Sequence, residues 1–264
     1  MCGAGALPAR MAAEARRQDW RVIAFTFDDA VGVDSHAARV IPSRFTDIGA
    51  VLAALQAEGV SAALFAGRFS MPDVLRADAD TADVVARGVG ERAGSRIDAQ
   101  LVEVVIATLG GMGVEVLDQR PFAGGWLPGA GCWTRRSPSP TEWTDVRRGL
   151  DVARLLANAR IGQTVVVRHG AVAAVEAIEG TSAAVCRGTA LAGAGAVVVK
   201  AVARDHDYRF DMPAIGLETI EAAAAGGATV VAVEADRVLI LDREATIRAA
   251  DAAGIAVVGV TGSA

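Results

Sequence analysis

Short valine-rich runs alternate with longer alanine-rich stretches along this chain, and this alternation limits its fold more than any other feature. In the first half, stretches with helical periodicity are separated by runs typical of buried strands. These segments, alternately helix and strand, are residues 3–18, 20–27, 48–59, 60–67, 98–113 and 114–118. Because this order is typical of a parallel sheet with helices packed on its faces, we predict an α/β fold.

The glycine turn that opens the first helix has almost no chain before it. In "MCGAGALP", Gly3 and Gly5 precede the helix. We name both as candidate phosphate-binding residues, because the N–H groups at a helix N-terminus bind anions. A turn of this type normally follows a buried strand, whereas only Met1 and Cys2 stand before this one. We therefore expect that the chain begins late or that its first strand is missing.

The second half repeats an order of hairpin, helix and strand. Residues 163–180 predict a hairpin that turns at His169-Gly170, followed by a helix at 181–193 and a strand at 196–203. The order recurs in residues 229–242, 243–254 and 255–260. We expect a mixed sheet with a weak internal duplication.

A segment without helical or strand periodicity separates the two halves. Between Gln119 and Thr144 the composition shifts to Gly, Pro, Trp, Ser and Arg, which is typical of a linker. We predict an N-terminal domain over residues 1–122, a linker over 123–144 and a C-terminal domain over 145–264.

The composition excludes several classes of protein. With 264 residues, of which 52% are hydrophobic, the chain has ample material for a core, and its net charge of −5 argues against a nucleic-acid partner. The three cysteines share no metal-ligand spacing with the three histidines, which indicates a reducing cytoplasm. We find neither a signal peptide nor an apolar run long enough to span a membrane. The hydrophobic content and net charge are compatible with a protein that contacts a membrane from the cytosolic side.

Polar residues of the second half gather where predicted strands end and helices begin. The segment "EAIEGT", Glu176 to Thr181, lies between a hairpin and a helix that carries Arg187, and the next strand ends at Lys200. A later loop, Arg204 to Asp211, alternates acidic and basic residues. This mixture suits a phosphate with a hard metal ion, because carboxylates bind Mg²⁺ while Arg and Lys neutralise phosphoryl oxygens. Each residue also has a structural alternative. Thr181 could cap its helix, Glu179 could simply end a strand, and Lys200 could extend its amine to solvent.

The segment "RFDMPAIG", residues 209–216, allows two interpretations of Asp211. Asp is a favoured N-cap and Pro213 is compatible with a first helical turn, so Asp211 could cap the next helix. Alternatively, Asp211 is a functional carboxylate that the nearby Arg209 keeps ionised.

Several short segments carry a more specific pattern. They are "AGALP" at 4–8, "IGQ" at 161–163, "AVEAIEGT" at 174–181, "RFDMPAIG" at 209–216 and "AVEADRVLILDRE" at 232–244. Together these segments resemble the LpxI-type UDP-2,3-diacylglucosamine diphosphatases of lipid A biosynthesis, and the similarity extends over most of the chain.

The resemblance implies an activity and a fold. The activity is Mg²⁺-dependent (or Mn²⁺-dependent) hydrolysis of UDP-2,3-diacylglucosamine to UMP and 2,3-diacylglucosamine 1-phosphate, with attack on the phosphorus attached to the sugar. The fold is a Rossmann-like parallel N-terminal domain followed by a family-specific, mixed-sheet α/β C-terminal domain. The resemblance also implies a homodimer that works in the cytoplasm, with transient peripheral contact to the inner membrane.

The resemblance also assigns roles to residues. The catalytic carboxylate of the family's RFDxP-like motif matches Asp211, and we expect Asp211 and Glu179 as metal ligands. The expected phosphate-binding residues are Lys200, Arg209, Thr181, Arg187, Gly3 and Gly5. Residues that depart from the family pattern are Arg160, Ser182, Ala203, Arg204 and His206.

Two rival functions remain. Ser182 and Ala203 favour a divergent or non-catalytic binder of the nucleotide lipid. The N-terminal glycines, followed by Asp28 and Asp29 at the end of the next strand, imitate a dinucleotide-binding fingerprint and suggest an oxidoreductase. Pro8 stands where that fingerprint has its third glycine, which argues against the oxidoreductase.

Overall fold

The structure, a computed structural model, describes residues 1–69, 82–93 and 98–262. The chain divides into two compact units. The first comprises Met1–Gly124 together with Asp207–Met212, and the second comprises Gly125–His206 together with Pro213–Ala264. The short segment Asp207–Met212, which carries Asp211, thus belongs to the first unit although its sequence neighbours on both sides belong to the second.

The first unit contains the predicted helices and strands, but two strands follow each other after its first helix and two helices follow each other before its last strand. Its elements are α1 (Leu7–Arg17), β1 (Ile23–Thr26), β2 (Arg39–Pro42), α2 (Ile48–Ala57), β3 (Ala62–Ala63), α3 (Val84–Ala93), α4 (Asp98–Gly111) and β4 (Glu115–Val116). Short 3₁₀ turns cover Val33–Ser35 and Arg120–Phe122. Proline in the first turn and two arginines in the last turn favour α1 at the observed position.

Parallel pairing links the strands of the first unit. β1 pairs with β2 and β3 pairs with β4, both in parallel. Cys2 forms parallel bridges to Thr26 on one side and to Ala66 on the other. The N–H of Cys2 donates to the carbonyl of Phe25 at 2.8 Å, and the N–H of Ala66 donates to that of Met1 at 2.9 Å. The residues before the glycine turn therefore occupy the place expected of a first strand, although they are too few to form a full one.

Aliphatic side chains, with Phe25, form the main core of the first unit. The buried members of this cluster come from β1, α2, β3, α4 and β4, and they are Phe25, Val51, Leu55, Ala63, Leu109, Val114 and Val116. Phe210 from the Asp207–Met212 segment packs against the same cluster. Its packing explains why that segment belongs to this unit.

The second unit is built around a six-stranded sheet. Its elements are β5 (Gly131–Cys132), α5 (Pro140–Asn158), β6 (Thr164–Arg168), β7 (Ala171–Val175), α6 (Thr181–Ala192), β8 (Val197–Lys200), β9 (Ala214–Ile215), α7 (Leu217–Ala225), β10 (Val230–Glu234), β11 (Leu239–Ile240), α8 (Arg243–Ala252) and β12 (Ala256–Val260). The strand order is β5-β12-β10-β8-β6-β7. The central strands β8, β10 and β12 are parallel, whereas β5, β6 and β7 run antiparallel to their neighbours.

Alternating valines bury both faces of this sheet. Val165 and Val199 lie in the cluster that includes Leu150 of α5. Val166 and Val198 lie in the opposite cluster with residues of α6, α7 and α8. Since side chains of a strand alternate between faces, runs such as "VVV" indicate a sheet covered on both sides.

The chain is an α/β protein, as the sequence predicts, with a mixed six-stranded sheet and several small parallel sheets. The Rossmann-like character of the first unit stays a prediction. No helix in the described ranges combines the length and the apolar character needed to cross a membrane.

The predicted second hairpin is wrong. β10 pairs in parallel with β8 and β12, while β11 pairs in parallel with β9 in a separate two-stranded sheet. The chain turns between them at Asp236, whose φ is 60°, and the N–H of Leu239 then donates to the carbonyl of Pro213 at 2.8 Å. The proposed internal duplication therefore fails, because the second half contains one hairpin, β6–β7, and the corresponding later strands belong to different sheets.

Helix α5 begins at Pro140, within the segment 123–144 that the sequence predicts as a linker. The cause is a capping box that the composition of the segment obscures. The hydroxyl of Ser139 accepts from the N–H of Glu142 at 3.3 Å, and the carboxylate of Glu142 accepts from the N–H of Ser139 at 2.7 Å. The predicted linker thus contains a helix start and also β5.

The Glu142 carboxylate makes stability depend on pH. Burial alone would raise its pKa, but the hydroxyl of Thr229, followed by hydrogen bonds from Ser139 and Arg136, outweighs burial and lowers the pKa from 4.5 to about 2. Because the folded-state pKa is depressed, the stabilisation is complete above pH 4.5 and is lost as the pH falls towards 2. Between pH 5 and pH 3, we expect the native chain to lose about 2 kcal/mol more unfolding free energy than Glu142→Gln. Urea titrations at both pH values test this, and equal losses in the two proteins would contradict it.

Gly149 allows α5 to approach the sheet closely. A Cβ added there would lie 2.4 Å from Cγ2 of Val199, a β-branched residue of a central strand that cannot move aside. We expect Gly149→Ala to lower the unfolding free energy by about 1–3 kcal/mol through overpacking. Gly110→Ala in α4 is the matched control, since nothing lies within 4 Å of its added Cβ. That control should change stability by less than about 1 kcal/mol, and equal effects of the two variants in denaturant unfolding would exclude the packing explanation.

Candidate functional site

Lys200, Thr181 and Glu176 form a hydrogen-bonded group in the second unit, which we call the lysine cluster. Lys200 ends β8 and is 6% exposed. Its Nζ donates to Oγ1 of Thr181 at 2.7 Å, and the hydroxyl of Thr181 donates to Oε1 of Glu176 at 2.9 Å. A buried ammonium needs partners, and here a hydroxyl and a buried carboxylate beyond it provide them.

These contacts decide between the alternatives for Thr181 and Lys200. The N-cap of α6 is Gly180 and makes no side-chain cap hydrogen bond, so Thr181 does not cap its helix. The amine of Lys200 does not extend to solvent but binds within the protein. Both residues named from the sequence therefore contact each other directly.

The IGQ segment, residues 161–163, packs against Glu176 of the lysine cluster and against the end of β8. A Cβ on Gly162 would lie 2.1 Å from the carbonyl oxygen of Glu176, so only glycine allows this close approach. The N–H of Gln163 donates to Oε2 of Glu176 at 3.3 Å. The carbonyl of Gln163 accepts from the N–H of Ala201 at 2.9 Å, one residue beyond Lys200. The segment thus fixes both the carboxylate and the end of β8.

Glu179 and Arg187 form a separate ion pair in the second unit. Nη2 of Arg187 donates to Oε1 of Glu179 and also, at 2.9 Å, to the carbonyl of Val175. The other carboxylate oxygen of Glu179 accepts from the N–H of Ala177 at 3.0 Å. The hydrogen bond from Arg187 holds the pKa of Glu179 below its ordinary value. Glu179 is therefore paired with Arg187 and not with Lys200.

Asp211 lies in the first unit and is exposed. Helix α7 begins six residues later at Leu217, and its N-cap is Gly216. Asp211 is therefore not the cap of that helix. The capping alternative is therefore wrong, and Asp211 is an exposed residue that follows Phe210, whose ring centre lies 4.6 Å from that of Phe65.

Arg209 forms its ion pair with Asp207 and not with Asp211. Nε of Arg209 lies 2.9 Å and 3.1 Å from the two carboxylate oxygens of Asp207, and Nη2 lies 2.7 Å from Oδ2. This hydrogen bonding raises the pKa of Arg209, and the negative charge of Asp118 raises it further. The sequence predicts that Arg209 keeps Asp211 ionised, whereas the structure pairs Arg209 with Asp207.

Gly3 and Gly5 lie in a tightly packed loop of the first unit. A Cβ on Gly3 would lie 2.5 Å from the carbonyl oxygen of Arg68. Gly5 has a φ of 95°, and its N–H donates to the carbonyl of Asp29 at 2.9 Å. Both glycines therefore have backbone reasons to be glycine, and they immediately precede α1.

The described residues offer a limited set of metal ligands. They contain no group of three or more His, Cys, Asp or Glu side chains arranged to hold a metal ion. Mg²⁺ does not need such a group, because it keeps several waters and binds through one or two carboxylates and the substrate's phosphates. Asp211 is an exposed carboxylate. Both carboxylate oxygens of Glu179 accept hydrogen bonds, so Glu179 could bind an ion only after Arg187 releases it.

Glu176 and Asp207 lie in polar segments that the sequence singles out, but no site role was predicted for either. A role for Glu176 was predictable, because it directly follows β7 and precedes Thr181 by five residues in a predicted strand-to-helix connection. Asp207 precedes Arg209 by two residues, a spacing typical of a side chain that hydrogen-bonds the backbone two residues later. The N–H of Arg209 does donate to Oδ1 of Asp207, at 3.0 Å.

Comparisons with known proteins cover both units. The family described as the LpxI N-terminal domain matches residues 1–126, and the family described as the LpxI C-terminal domain matches residues 129–258. A protein of Caulobacter vibrioides, UDP-2,3-diacylglucosamine pyrophosphatase LpxI, is 34% identical over 274 aligned positions, which cover 98% of this chain and 96% of that protein. The similarity noted in short segments therefore extends over nearly the whole chain.

Proposed function

The chain belongs to the LpxI family, and from this premise we propose that it hydrolyses the pyrophosphate bond of UDP-2,3-diacylglucosamine in lipid A biosynthesis. The products are UMP and 2,3-diacylglucosamine 1-phosphate. The observation that carries the proposal in the geometry is the buried ammonium of Lys200, which Thr181 and Glu176 hold at the end of β8. A cation fixed in advance at a strand end suits the charge that develops on a phosphoryl oxygen.

The proposed reaction requires water and a leaving nucleotide. The oxygen of a water molecule forms a bond to the phosphorus attached to the sugar. The bond from that phosphorus to the bridging oxygen breaks, and UMP leaves with the bridging oxygen and its electron pair. One proton of the water passes to a base or to solvent. We assign Asp211 to orienting this water or to holding the metal ion, because its carboxylate is exposed.

We assign the cations to the phosphate oxygens. Lys200 and the hydroxyl of Thr181 are already ordered by Glu176. Nε and Nη2 of Arg209 are held by Asp207, and its Nη1 donates to no atom of the described residues, so it can reach a phosphate oxygen. Arg187, anchored through Nη2 by Glu179, is a further candidate. Little covalent work is needed from the protein, because phosphoryl transfer depends mainly on positioning and charge.

We propose Mg²⁺, or Mn²⁺ in its place, as the cofactor, with Asp211 as its protein ligand and Glu179 as a weaker candidate. When bound, the ion neutralises charge on the phosphate oxygens. The carboxylate of Asp211 would then lie where both a hydrated ion and the diphosphate of the substrate have access to it. Glu179 could serve only after Arg187 releases it.

We infer that the first unit is Rossmann-like. Its parallel order of β2, β1, Cys2, β3 and β4 supports this inference. In such folds the turn before the first helix binds phosphate through backbone N–H groups. Gly3 and Gly5 occupy that turn, so we propose that they contact the nucleotide's phosphates.

We further propose a homodimer in the cytoplasm that meets its lipid substrate transiently at the inner-membrane surface. A diacylated substrate is held in the membrane by its acyl chains, so an enzyme acting on its head group must reach that surface. Size-exclusion chromatography with light scattering tests the dimer, and sedimentation with vesicles tests the membrane contact.

An incubation with the lipid substrate and a titration with NAD(H) separate the proposed function from its rivals. We expect the native chain with Mg²⁺ to convert UDP-2,3-diacylglucosamine to UMP and the acylated sugar phosphate in equal amounts. Retention of intact substrate on the protein would support the non-catalytic binder instead. Binding of NAD(H) in a titration, without cleavage of the lipid, would support the oxidoreductase.

A further inference from the structure

Two Asp-X-Arg turns of the first unit share one internal geometry. They are residues 118–120 ("DQR") and 207–209 ("DYR"). In each, the arginine N–H donates to Oδ1 of the aspartate, at 2.8 Å in the first turn and 3.0 Å in the second. In each, Nε of the arginine lies 2.9–3.1 Å from both carboxylate oxygens. Each arginine is therefore hydrogen-bonded to its own aspartate through the same set of atoms.

The two turns contact each other. The N–H of Gln119 donates to the carbonyl of Tyr208 at 3.0 Å, and the guanidinium carbon of Arg120 lies 4.5 Å from the centre of the Tyr208 ring. Their charges also interact. Arg120 lowers the pKa of Asp118, and the nearby carboxylate of Asp207 opposes that lowering.

The contact between the turns is buried at its centre. Gln119 is 1% exposed and Tyr208 is 6% exposed. The side-chain Nε2 of Gln119 is buried and has no acceptor among the described residues. An uncompensated buried donor is costly, and such costs persist where the surrounding structure requires that placement. Residue 119 is therefore held against the loop despite this cost.

We propose that residues 118–120 position the loop that carries Asp211, an inference that rests on the proposed function. Tyr208 is fixed by the backbone of Gln119 and by the guanidinium of Arg120, and Phe210 is fixed by Phe65. Asp211 follows directly. Arg120 is a positioning residue that acts through Tyr208 and Asp211, and it does not touch the reacting atoms.

This role has a kinetic signature. A misplaced Asp211 weakens the reaction step more than substrate binding, since a displacement of about 1 Å can cost on the order of 100-fold in rate. We expect Arg120→Met to lower kcat by about 10- to 100-fold with KM changed less than about threefold. Arg120→Lys should recover only part of the loss, because a lysine cannot be held by Asp118 through a planar fork.

Tyr208 is the only tyrosine of the chain, so it reports on the loop without any activity measurement. Protein labelled with 3-fluorotyrosine should give one ¹⁹F resonance. We expect Arg120→Met to shift or broaden that resonance. Arg17→Met is the matched control, since it removes an exposed arginine of the same unit that pairs with Glu14 and has no contact with Tyr208. The control resonance should coincide with that of the native chain.

A double-mutant cycle with Asp211→Asn decides whether Arg120 acts through Asp211. If it does, Arg120→Met should change the residual rate of Asp211→Asn less than twofold. An equal loss in both backgrounds would overturn the proposal, and so would an unchanged ¹⁹F resonance with unchanged kcat. If Arg120→Met does not fold, Asp118→Asn removes the carboxylate that orients Arg120 and should give the same signature. An inactive native chain would instead refute the proposed function, while the ¹⁹F result would still show whether residues 118–120 order the loop.

Discussion

Replacing Asp211 by asparagine should lower the rate of UMP release from UDP-2,3-diacylglucosamine by about 10²-fold or more, the loss expected when the group that positions a reactant is removed. Asparagine keeps the size of the side chain but removes the negative charge, which either a water-orienting carboxylate or a Mg²⁺ ligand requires. The measurement is the initial rate at saturating Mg²⁺ and substrate. If Asp211→Asn kept more than about a third of the native rate, the assignment of Asp211 would be wrong.

The matched control for this variant is Asp205→Asn. Asp205 is exposed and lies six residues earlier in the same connection between β8 and β9. Its replacement makes the same change in charge without touching the proposed machinery, so the rate should stay near the native value. Because Asp211 is exposed, any interaction that it loses is weak, so Asp211→Asn should alter the unfolding free energy by less than about 1 kcal/mol. Lost activity with intact stability would therefore report on chemistry.

Replacing Lys200 by methionine should affect both activity and stability. Methionine fills a similar volume but carries no charge, so the hydroxyl of Thr181 and the carboxylate of Glu176 lose their buried cation. We expect kcat/KM to fall by about 10²- to 10³-fold, as when one fixed donor to a developing oxyanion is removed. We expect the unfolding free energy to fall by about 1–3 kcal/mol, the cost of leaving a buried polar group unpaired.

A pair of Thr181 variants separates these two effects. Thr181→Ser keeps the hydroxyl that links Lys200 to Glu176, and it should retain most of the native rate. Thr181→Val keeps the shape but removes the hydroxyl, and it should lose part of both rate and stability. The rate and the unfolding free energy are measured for Lys200→Met, Thr181→Val and Thr181→Ser. If the loss of rate in each variant is explained by its loss of stability, the lysine cluster has only a structural role.

Most of the fold could be predicted because hydrophobic residues recur with different periods in strands and in helices, and these periods can be read from short segments. The hairpin at His169-Gly170 was predictable, since two valine-rich runs are joined by a two-residue turn with both φ values positive, 50° and 77°. The second hairpin failed because the choice of partner for a strand depends on distant residues. Leu239 hydrogen-bonds Pro213, which is 26 positions earlier, and no local pattern contains that information.

The candidate site was predictable in its residue types but not in their pairing. Lys200 and Thr181 were identified because they stand where a strand ends and a helix begins, and the structure places them in contact. The glutamate that completes the cluster is Glu176 and not Glu179, because only Glu176 is buried beside Gly162. The pairing of Arg209 with Asp207 depends on the conformation of one loop, which composition and spacing leave open.

The most direct test of the proposed hydrolysis is the reaction in ¹⁸O-labelled water, followed by mass spectrometry of both products. The proposed hydrolysis predicts Mg²⁺-dependent formation of equal amounts of UMP and 2,3-diacylglucosamine 1-phosphate, with one ¹⁸O atom in the sugar phosphate and none in UMP. Label in UMP would place the attack on the other phosphorus and contradict the proposed direction of hydrolysis. Intact substrate after prolonged incubation with Mg²⁺ would contradict the proposed function itself.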